Sequence, residues 1–221
     1  MSRRKVVVTA GPTREHVDPV RYISNESSGR MGFELAAAAA RAGDRVVLVA
    51  GPVHLETPPG VTRVDVVSAR DMHAAVRAAF LGAPGRGRGH FGPTGADALY
   101  MAAAVGDWRP RRRRAGKWRA KDGGDEVATL ELVRNPDILA SVGARKGSRL
   151  VVGFALETGD GTRRARRKLN RKGADYIVLN DPSALGGART RVTVIGRAGD
   201  AVPLAGTKRA VAEALVALER P

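Results

Sequence analysis

Cysteine is absent from the 221-residue chain, and with it go structural disulfides, thiolate zinc sites and cysteine nucleophiles. Aromatic residues are scarce: four Phe, three Tyr and two Trp make up 4% of the sequence. Single-strand nucleic-acid binders combine positive charge with several stacking rings, so nucleic acid is not an expected partner. No apolar run approaches the roughly 20 residues of a membrane-spanning helix. The opening Met1-Ser2-Arg3-Arg4-Lys5 runs directly into a strand-like segment and lacks a signal-peptide pattern. A cytoplasmic protein without a membrane partner is therefore expected.

Acidic residues are also in short supply. Lys+Arg number 38 against 22 Asp+Glu, a net charge of +16, and only seven of the cations are lysine. This excess attracts polyanions such as nucleotides, phosphorylated metabolites or nucleic acid. An Arg-, Ala- and Gly-rich composition also follows from codon bias, with many arginines on solvated faces. At roughly 150 residues per domain the length fits one domain with a substantial core, residues 1–221, and excludes collagen-like and small disulfide-scaffold classes.

The pattern alternates strands and helices. Residues 5–10 (KVVVTA), 45–50 (RVVLVA), 64–67, 96–105, 127–133, 150–154, 176–179 and 192–195 read as strands. Residues 30–42 read as a helix with start and stop signals, 69–81 as an amphipathic helix, 136–144 as a helix opening behind Asn135-Pro136-Asp137, and 163–172 and 207–218 as further helices. Such alternation means βαβ units. The expected fold is α/β: a Rossmann-like three-layer α/β/α sandwich with a mainly parallel sheet. The Gly/Pro/Arg-rich residues 82–95 read as a surface insertion, and residues 109–124 as a flexible basic loop.

Ligands of such sheets gather beyond the carboxyl ends of the strands. Here Gly11 is followed by an 18-residue excursion, residues 12–29, whose closing Ser27-Ser28-Gly29 opens the first helix. Hydroxyls and a glycine at a helix N-terminus make an anion cradle, although either serine is also a ready N-cap. The second strand ends Val49-Ala50-Gly51-Pro52, with no acid for a ribose 2′-hydroxyl, which argues against NAD. GxxxxGK[ST] and GxSxG are both missing, and His16, His54, His73 and His90 are scattered, so neither a P-loop, a triad nor a metal cluster is expected. What remains is a polar set at strand ends: Asn25, Asp107, Lys117, Asn135, Asp137, Asn180 and Asp181. Lys168 and Lys172 share a helical face, and Ala102-Ala103-Ala104 lets a flat ring approach the backbone. Each has a plain structural explanation as cap, solvated charge or tight packing. Together they point to a nucleotide-using enzyme with a phosphate-rich substrate, without fixing the reaction.

At these residues the chain closely resembles the phosphopantothenate–cysteine ligases, the phosphopantothenoylcysteine synthetases of coenzyme A biosynthesis. The resemblance is carried by VVVTAGPTREHVDPVRYISNESSGRMG, AAAVGDWRP, LVRNPDIL, VVGFALET, ARRKLNRKGADYIVLND and a closing TK, in family order over essentially the whole chain. It implies a ligase unrelated to ATP-grasp enzymes, which joins 4′-phosphopantothenate and L-cysteine through an acyl-cytidylate made from CTP. Mg²⁺ is implied on the phosphates, a homodimer as the assembly, and a phosphopantothenoylcysteine decarboxylase as a fused or separate partner. By the same resemblance Asn25 holds the acyl intermediate and Lys117 stabilises charge on the activated phosphate. Met101, Ala102, Ala103, Asp107, Pro136, Asp137, Ile138, Leu139 and Phe154 contact the nucleotide, and Lys168 and Lys172 reach its triphosphate or base. Gly11, Ser27, Ser28 and Gly29 suit the phosphate cradle.

Some positions depart from the family pattern. A lysine-rich segment reads Lys117-Trp118-Arg119-Ala120, Arg134 stands where lysine is expected, and the usual Phe and Asn are missing from residues 186–191. That last change leaves room for a paralogous ligase with a different carboxylate or amine. A non-enzymatic RNA-binding protein using Arg109 and Arg111 to Arg114 is the rival from another class, weakened by the lack of stacking rings beyond Trp108 and Trp118.

Overall fold

The computed structural model describes residues 3–82, 90–119, 127–156, 161–180, 187 and 189–218. The first half of the chain runs β1 (Lys5–Ala10), β2 (Arg14–His16), β3 (Tyr22–Ser24), α1 (Arg30–Arg41), β4 (Arg45–Ala50), β5 (Val61–Asp65) and α2 (Ala69–Val76). A π-helical stretch, Arg77–Leu81, continues α2. Then come β6 (Ala98–Met101), β7 (Trp108–Pro110), β8 (Leu132–Arg134), α3 (Ile138–Gly143), β9 (Leu150–Leu156) and α4 (Gly161–Lys172). The chain closes with β10 (Tyr176–Asn180), β11 (Arg189–Gly196), β12 (Ala201–Thr207) and α5 (Lys208–Val216).

Eight strands form one sheet in the order β12-β11-β10-β9-β6-β1-β4-β5. The six from β10 to β5 are parallel, while β11 and β12 pair antiparallel at one edge. Successive residues of a strand face opposite sides, and β1 shows the consequence. Val6, Val8 and Ala10 pack with Leu35 of α1 and Leu215 of α5. Val7 packs with Met72 of α2, Val142 of α3 and Leu169 of α4. The result is the expected three-layer, Rossmann-like sandwich. Val6, Val7 and Val8 are completely buried, and each buried valine contributes roughly 1.5–3 kcal/mol. Among the described residues no helix is long and apolar enough to cross a membrane.

Close approach at one point fixes where α1 begins. A Cβ on Gly32 would stand 2.5 Å from the Cβ of Ala10, and one on Gly51 would stand 1.8 Å from the carbonyl oxygen of Pro12. Helix start, β1 exit and β4 exit are therefore pressed together at the carboxyl edge of the sheet.

Several sequence expectations are corrected. The third strand occupies Val61–Asp65, earlier than residues 64–67. Of residues 96–105 only Ala98–Met101 are strand; beyond them Ala104 bridges to Pro12 instead of continuing into the sheet. Of residues 127–133 only the end is strand, and β8 pairs with β7 in a ribbon separate from the main sheet. Part of the basic loop expected at 109–124 is thus strand, and residues 120–124 lie outside the described residues. Strands β2, β3 and β12 were not expected: the first two lie in the excursion after Gly11, and β12 fills the sheet edge. Residues 83–89 of the insertion lie outside the described residues, but its ends meet, the Ala96 N–H donating to the Phe80 carbonyl at 3.0 Å.

Candidate functional site

A cleft of about 570 Å³ opens beyond the carboxyl ends of β6 and β9. Met101 ends β6 at its floor, Ala103 and Asp107 follow on the β6–β7 connection, and Phe154 comes from β9. The start of α3 supplies Pro136, Asp137, Ile138 and Leu139, and α4 supplies Lys168 and Lys172. Ten of the sequence-selected residues, from five chain segments, thus meet in one cavity. Ala102 does not line it; that side chain packs toward the opposite face of the sheet, against the core under α1.

Polar contacts shape this cleft. Asp137 caps α3, its Oδ1 accepting the Ala140 N–H at 3.0 Å, while Oδ2 contacts the Lys172 ammonium. Lys168 donates to the Phe154 carbonyl at 2.7 Å. Burial lowers the pKa of Lys172 from its usual range, opposed by the field of Asp107, so an incoming anion would favour its protonated form. Arg164, Arg167 and Arg171 extend the positive surface along α4.

Of the remaining selected residues, Gly11 and Asn25 meet the β6–β7 connection at Ala104, and Gly29 stands against Gly11. The Ala104 N–H donates to the Gly11 carbonyl at 2.9 Å, and the Ala104 carbonyl accepts from the Asn25 side-chain amide at 3.0 Å. Gly29 adopts φ 77° and is itself the N-cap of α1, with no side-chain cap. The serines are therefore not caps of that helix. Ser27 Oγ instead accepts the Gly29 N–H at 3.3 Å. The first-turn N–H groups of α1 are left for a ligand or water, which suits an anion.

A protein-family model of the DNA/pantothenate metabolism flavoprotein C-terminal domain matches residues 1–219. The chain belongs to this family. It is 49% identical over 179 residues to the coenzyme A biosynthesis bifunctional protein CoaBC of Escherichia coli K12, a match covering 80% of this chain and 41% of that protein. The chain therefore spans about two fifths of the length of that curated relative. Its fold superposes on a crystal structure of the C-terminal domain of CoaBC with a TM-score of 0.78 at 35% identity, covering 96% of this chain and 92% of the other. A Cab2 mutant in complex with phosphopantothenate-cysteine shares the fold, with a TM-score of 0.69 at 16% identity, covering 96% of this chain and 83% of the other.

In this family member Lys117 is exposed and does not line the cleft. Its neighbour Trp118 is tied to the β2–β3 hairpin: the Trp118 N–H donates to Asp18 Oδ2 at 3.0 Å and its carbonyl accepts from Arg21. Sequence reasoning passed over several residues that hold the site together. Thr13, fully buried, accepts the Gly106 N–H at 3.0 Å and donates its own N–H to the Ala104 carbonyl. By contrast Asn135 belongs to the polar set singled out at strand ends, with a cap as its plain explanation; it donates to the Gly106 carbonyl at 2.8 Å and accepts from Arg109 at 3.3 Å. Asp18 accepts the Val20 and Arg21 N–H groups at 2.7 Å each, and the Asp18-Pro19 pair is the turn signal that could have located it. Of the arginines considered for RNA, Arg109 bonds Asn135, Arg111 pairs with Glu131, and Arg114 lies over the Trp118 ring. Residues 181–186 and 188 lie outside the described residues, so the altered 186–191 segment is described only at Gly187 and from Arg189 onward.

Proposed function

We propose that this chain joins 4′-phosphopantothenate to L-cysteine through an acyl-cytidylate made from CTP, as a cytoplasmic enzyme of coenzyme A biosynthesis. One observation carries the reading: the 103–107 connection is a common wall, with a cationic cleft on one side and the uncapped start of α1 with Asn25 on the other. That suits a nucleotide and a phosphorylated acid brought together across the wall.

In the first step a carboxylate oxygen of phosphopantothenate attacks the α-phosphorus of CTP, the bond to the bridging oxygen breaks, and pyrophosphate leaves with the electron pair. Two anions must meet, so fixed cations and positioning lower the barrier. Lys168, Lys172 and Lys117 supply charge in this reading, while Pro136 to Leu139 and Phe154 hold the nucleoside. Asn25 uses one amide hydrogen on Ala104, which leaves its second hydrogen and Oδ1 for the acyl group. In the second step the neutral amine of cysteine attacks the acyl carbon, CMP leaves, and the nitrogen releases a proton to solvent. A mixed anhydride needs little acid–base assistance for this.

No three His, Asp or Glu side chains converge on a metal position among the described residues. The cleft carboxylate Asp137 is already engaged by Lys172 and the α3 backbone. Mg²⁺ fits here as an ion carried on the triphosphate beside exposed Asp107, where it would neutralise phosphate charge.

A homodimer is supported by the apolar surface of the two ribbons, which pack against each other through β2 and β7. Val20, Tyr22 and Ile23 on the hairpin and Trp108 on β7 are exposed, an arrangement that suits a second copy. The product would then pass to a phosphopantothenoylcysteine decarboxylase.

The test is pyrophosphate release from the purified chain with phosphopantothenate and CTP, followed by amide formation on adding cysteine. Release that requires both substrates is expected; no release overturns the reading. Replacing CTP by ATP, and cysteine by other amines, measures the base and amine preferences.

A further inference from the structure

We propose that Asp18 is a positioning residue for Lys117, its buried carboxylate fastening the segment that carries Lys117 to the tip of the β2–β3 hairpin. What Lys117 then does rests on the ligase reading above; the fastening itself does not.

Asp18 is completely buried, and a buried carboxylate is costly unless its oxygens are hydrogen-bonded. One oxygen closes its own turn, Oδ1 accepting the N–H groups of Val20 and Arg21 at 2.7 Å each. The other reaches a hundred residues along the chain to the Trp118 N–H, 3.0 Å away. Around this bond the docking is repeated. Arg21 lies 3.8 Å from Asp18 Oδ2 and donates to the Trp118 carbonyl. The Arg114 N–H donates to the Val17 carbonyl at 2.8 Å, and the Arg114 guanidinium covers the Trp118 ring at 4.3 Å.

Lys117 is thus one residue from a fixed point, with its own side chain exposed. The same hairpin leads through β3 to Asn25, whose amide grips Ala104 on the wall of the cleft. Its root is held as well, Glu15 accepting the Ala69 N–H at 2.8 Å and Ser24 donating to the Thr13 carbonyl at 2.8 Å. One rigid hairpin therefore sets two functional side chains relative to each other.

Both oxygens of Asp18 are needed for the two tasks, which makes Asp18→Asn a selective probe. Its single oxygen can keep the local turn, while its amide presents a donor to the Trp118 N–H. Trp118→Pro deletes the same N–H from the opposite side and serves if Asp18→Asn does not fold.

Two readouts on the full chain test the proposal. Trypsin should cut after Arg114 about ten- to a hundredfold faster in either variant, the factor that loss of one charged hydrogen bond brings, and after Lys117 likewise in Asp18→Asn, since the Lys-Pro bond of the other variant is not a trypsin site. Turnover measured by pyrophosphate release should fall about tenfold or more at saturating substrates, while the same substitution placed on Lys117→Gln should cost less than about twofold further. Unchanged cleavage, or costs that multiply fully in the Lys117→Gln background, would overturn it. If the native chain releases no pyrophosphate, the ligase reading fails, and the cleavage rates alone decide whether Asp18 fastens the segment.

Discussion

The eight-stranded sheet and the two small ribbons beside it are held by different forces. In the sheet, strands such as β1 and β4 are, beyond their first residues Lys5 and Arg45, buried runs made almost wholly of valine, leucine and alanine, and apolar burial on both faces fixes their register. In the ribbons, β3 is exposed along its whole length and β8 nearly so. There the geometry is set by side chains bonded to distant backbone: Asp18 to Trp118, Asn25 to Ala104, Asn135 to Gly106. The sheet supplies stability and, through Met101 and Phe154, part of the cleft lining, while the ribbons supply position and contribute little burial. Asn25 and Lys117 are therefore set by specific hydrogen bonds to distant backbone and not by apolar packing.

The sharpest test of this division lies at the opposite, amino-terminal edge of the sheet. Lys146 and Asp175 form a buried pair there at 2.6 Å, and the Val151 N–H also donates to Asp175. Asp175→Ala leaves a buried ammonium uncompensated and should cost about 3–5 kcal/mol in urea unfolding, while the folded fraction keeps its full turnover. A large loss of turnover per folded molecule would break the comparison. In the ribbons the opposite pattern is expected. Asn25→Asp and Lys117→Gln should each lower turnover by roughly 10²–10³, as removal of a preorganised charge-stabilising group does, with the melting temperature nearly unchanged. Near-normal rates in both would remove their assigned roles.

The same division explains what the sequence reveals. Central strands and helices were legible because burial imposes a period: KVVVTA and RVVLVA read as buried strands, residues 69–81 as an amphipathic helix, and the Asn135-Pro136-Asp137 start signal announces α3, where Asp137 is the cap. Ten cleft residues could be named because the resemblance carries them in fixed motifs. The ribbons were missed because β2, β3 and β7 are three residues each, with no apolar alternation to mark them. Residues 127–133 do alternate, yet the alternation there serves an exposed ribbon and not the sheet. For Ala102, named with its segment by the resemblance, the triplet of alanines gives no sign of which side chain faces the cleft, a matter decided by where β6 ends. No sequence pattern shows that Asp18 meets Trp118, since the contact spans the whole first half of the fold.

A smaller effect probes how the ribbons are joined to the sheet. Thr13 is buried at the exit from β1, and its hydroxyl takes the Gly106 N–H. Thr13→Val keeps the shape and leaves that N–H unpaired, at a cost of about 1–3 kcal/mol. It should also raise KM for CTP more than it lowers kcat, because Gly106 lines the cleft. A change in stability with KM untouched would assign Thr13 to the scaffold alone.

The smallest expected effect is one of pH. The backbone N–H of Trp118, with those of Val20 and Arg21 and the charge of Arg21, holds Asp18 at about 2, below its ordinary 3.8. A carboxyl whose folded pKa is depressed contributes stability above its unfolded value and loses it as the pH falls through the folded one. Stability from Asp18 is therefore complete above about pH 4 and fades toward pH 2. Asp18→Asn should melt below the native chain at about pH 6, and the gap should close on acidification to about pH 2 as the native carboxylate is protonated. A gap equally wide at both pH values would mean that shape, not charge, ties the hairpin to the Lys117 segment, and the ribbons would then be held by the same packing forces as the sheet.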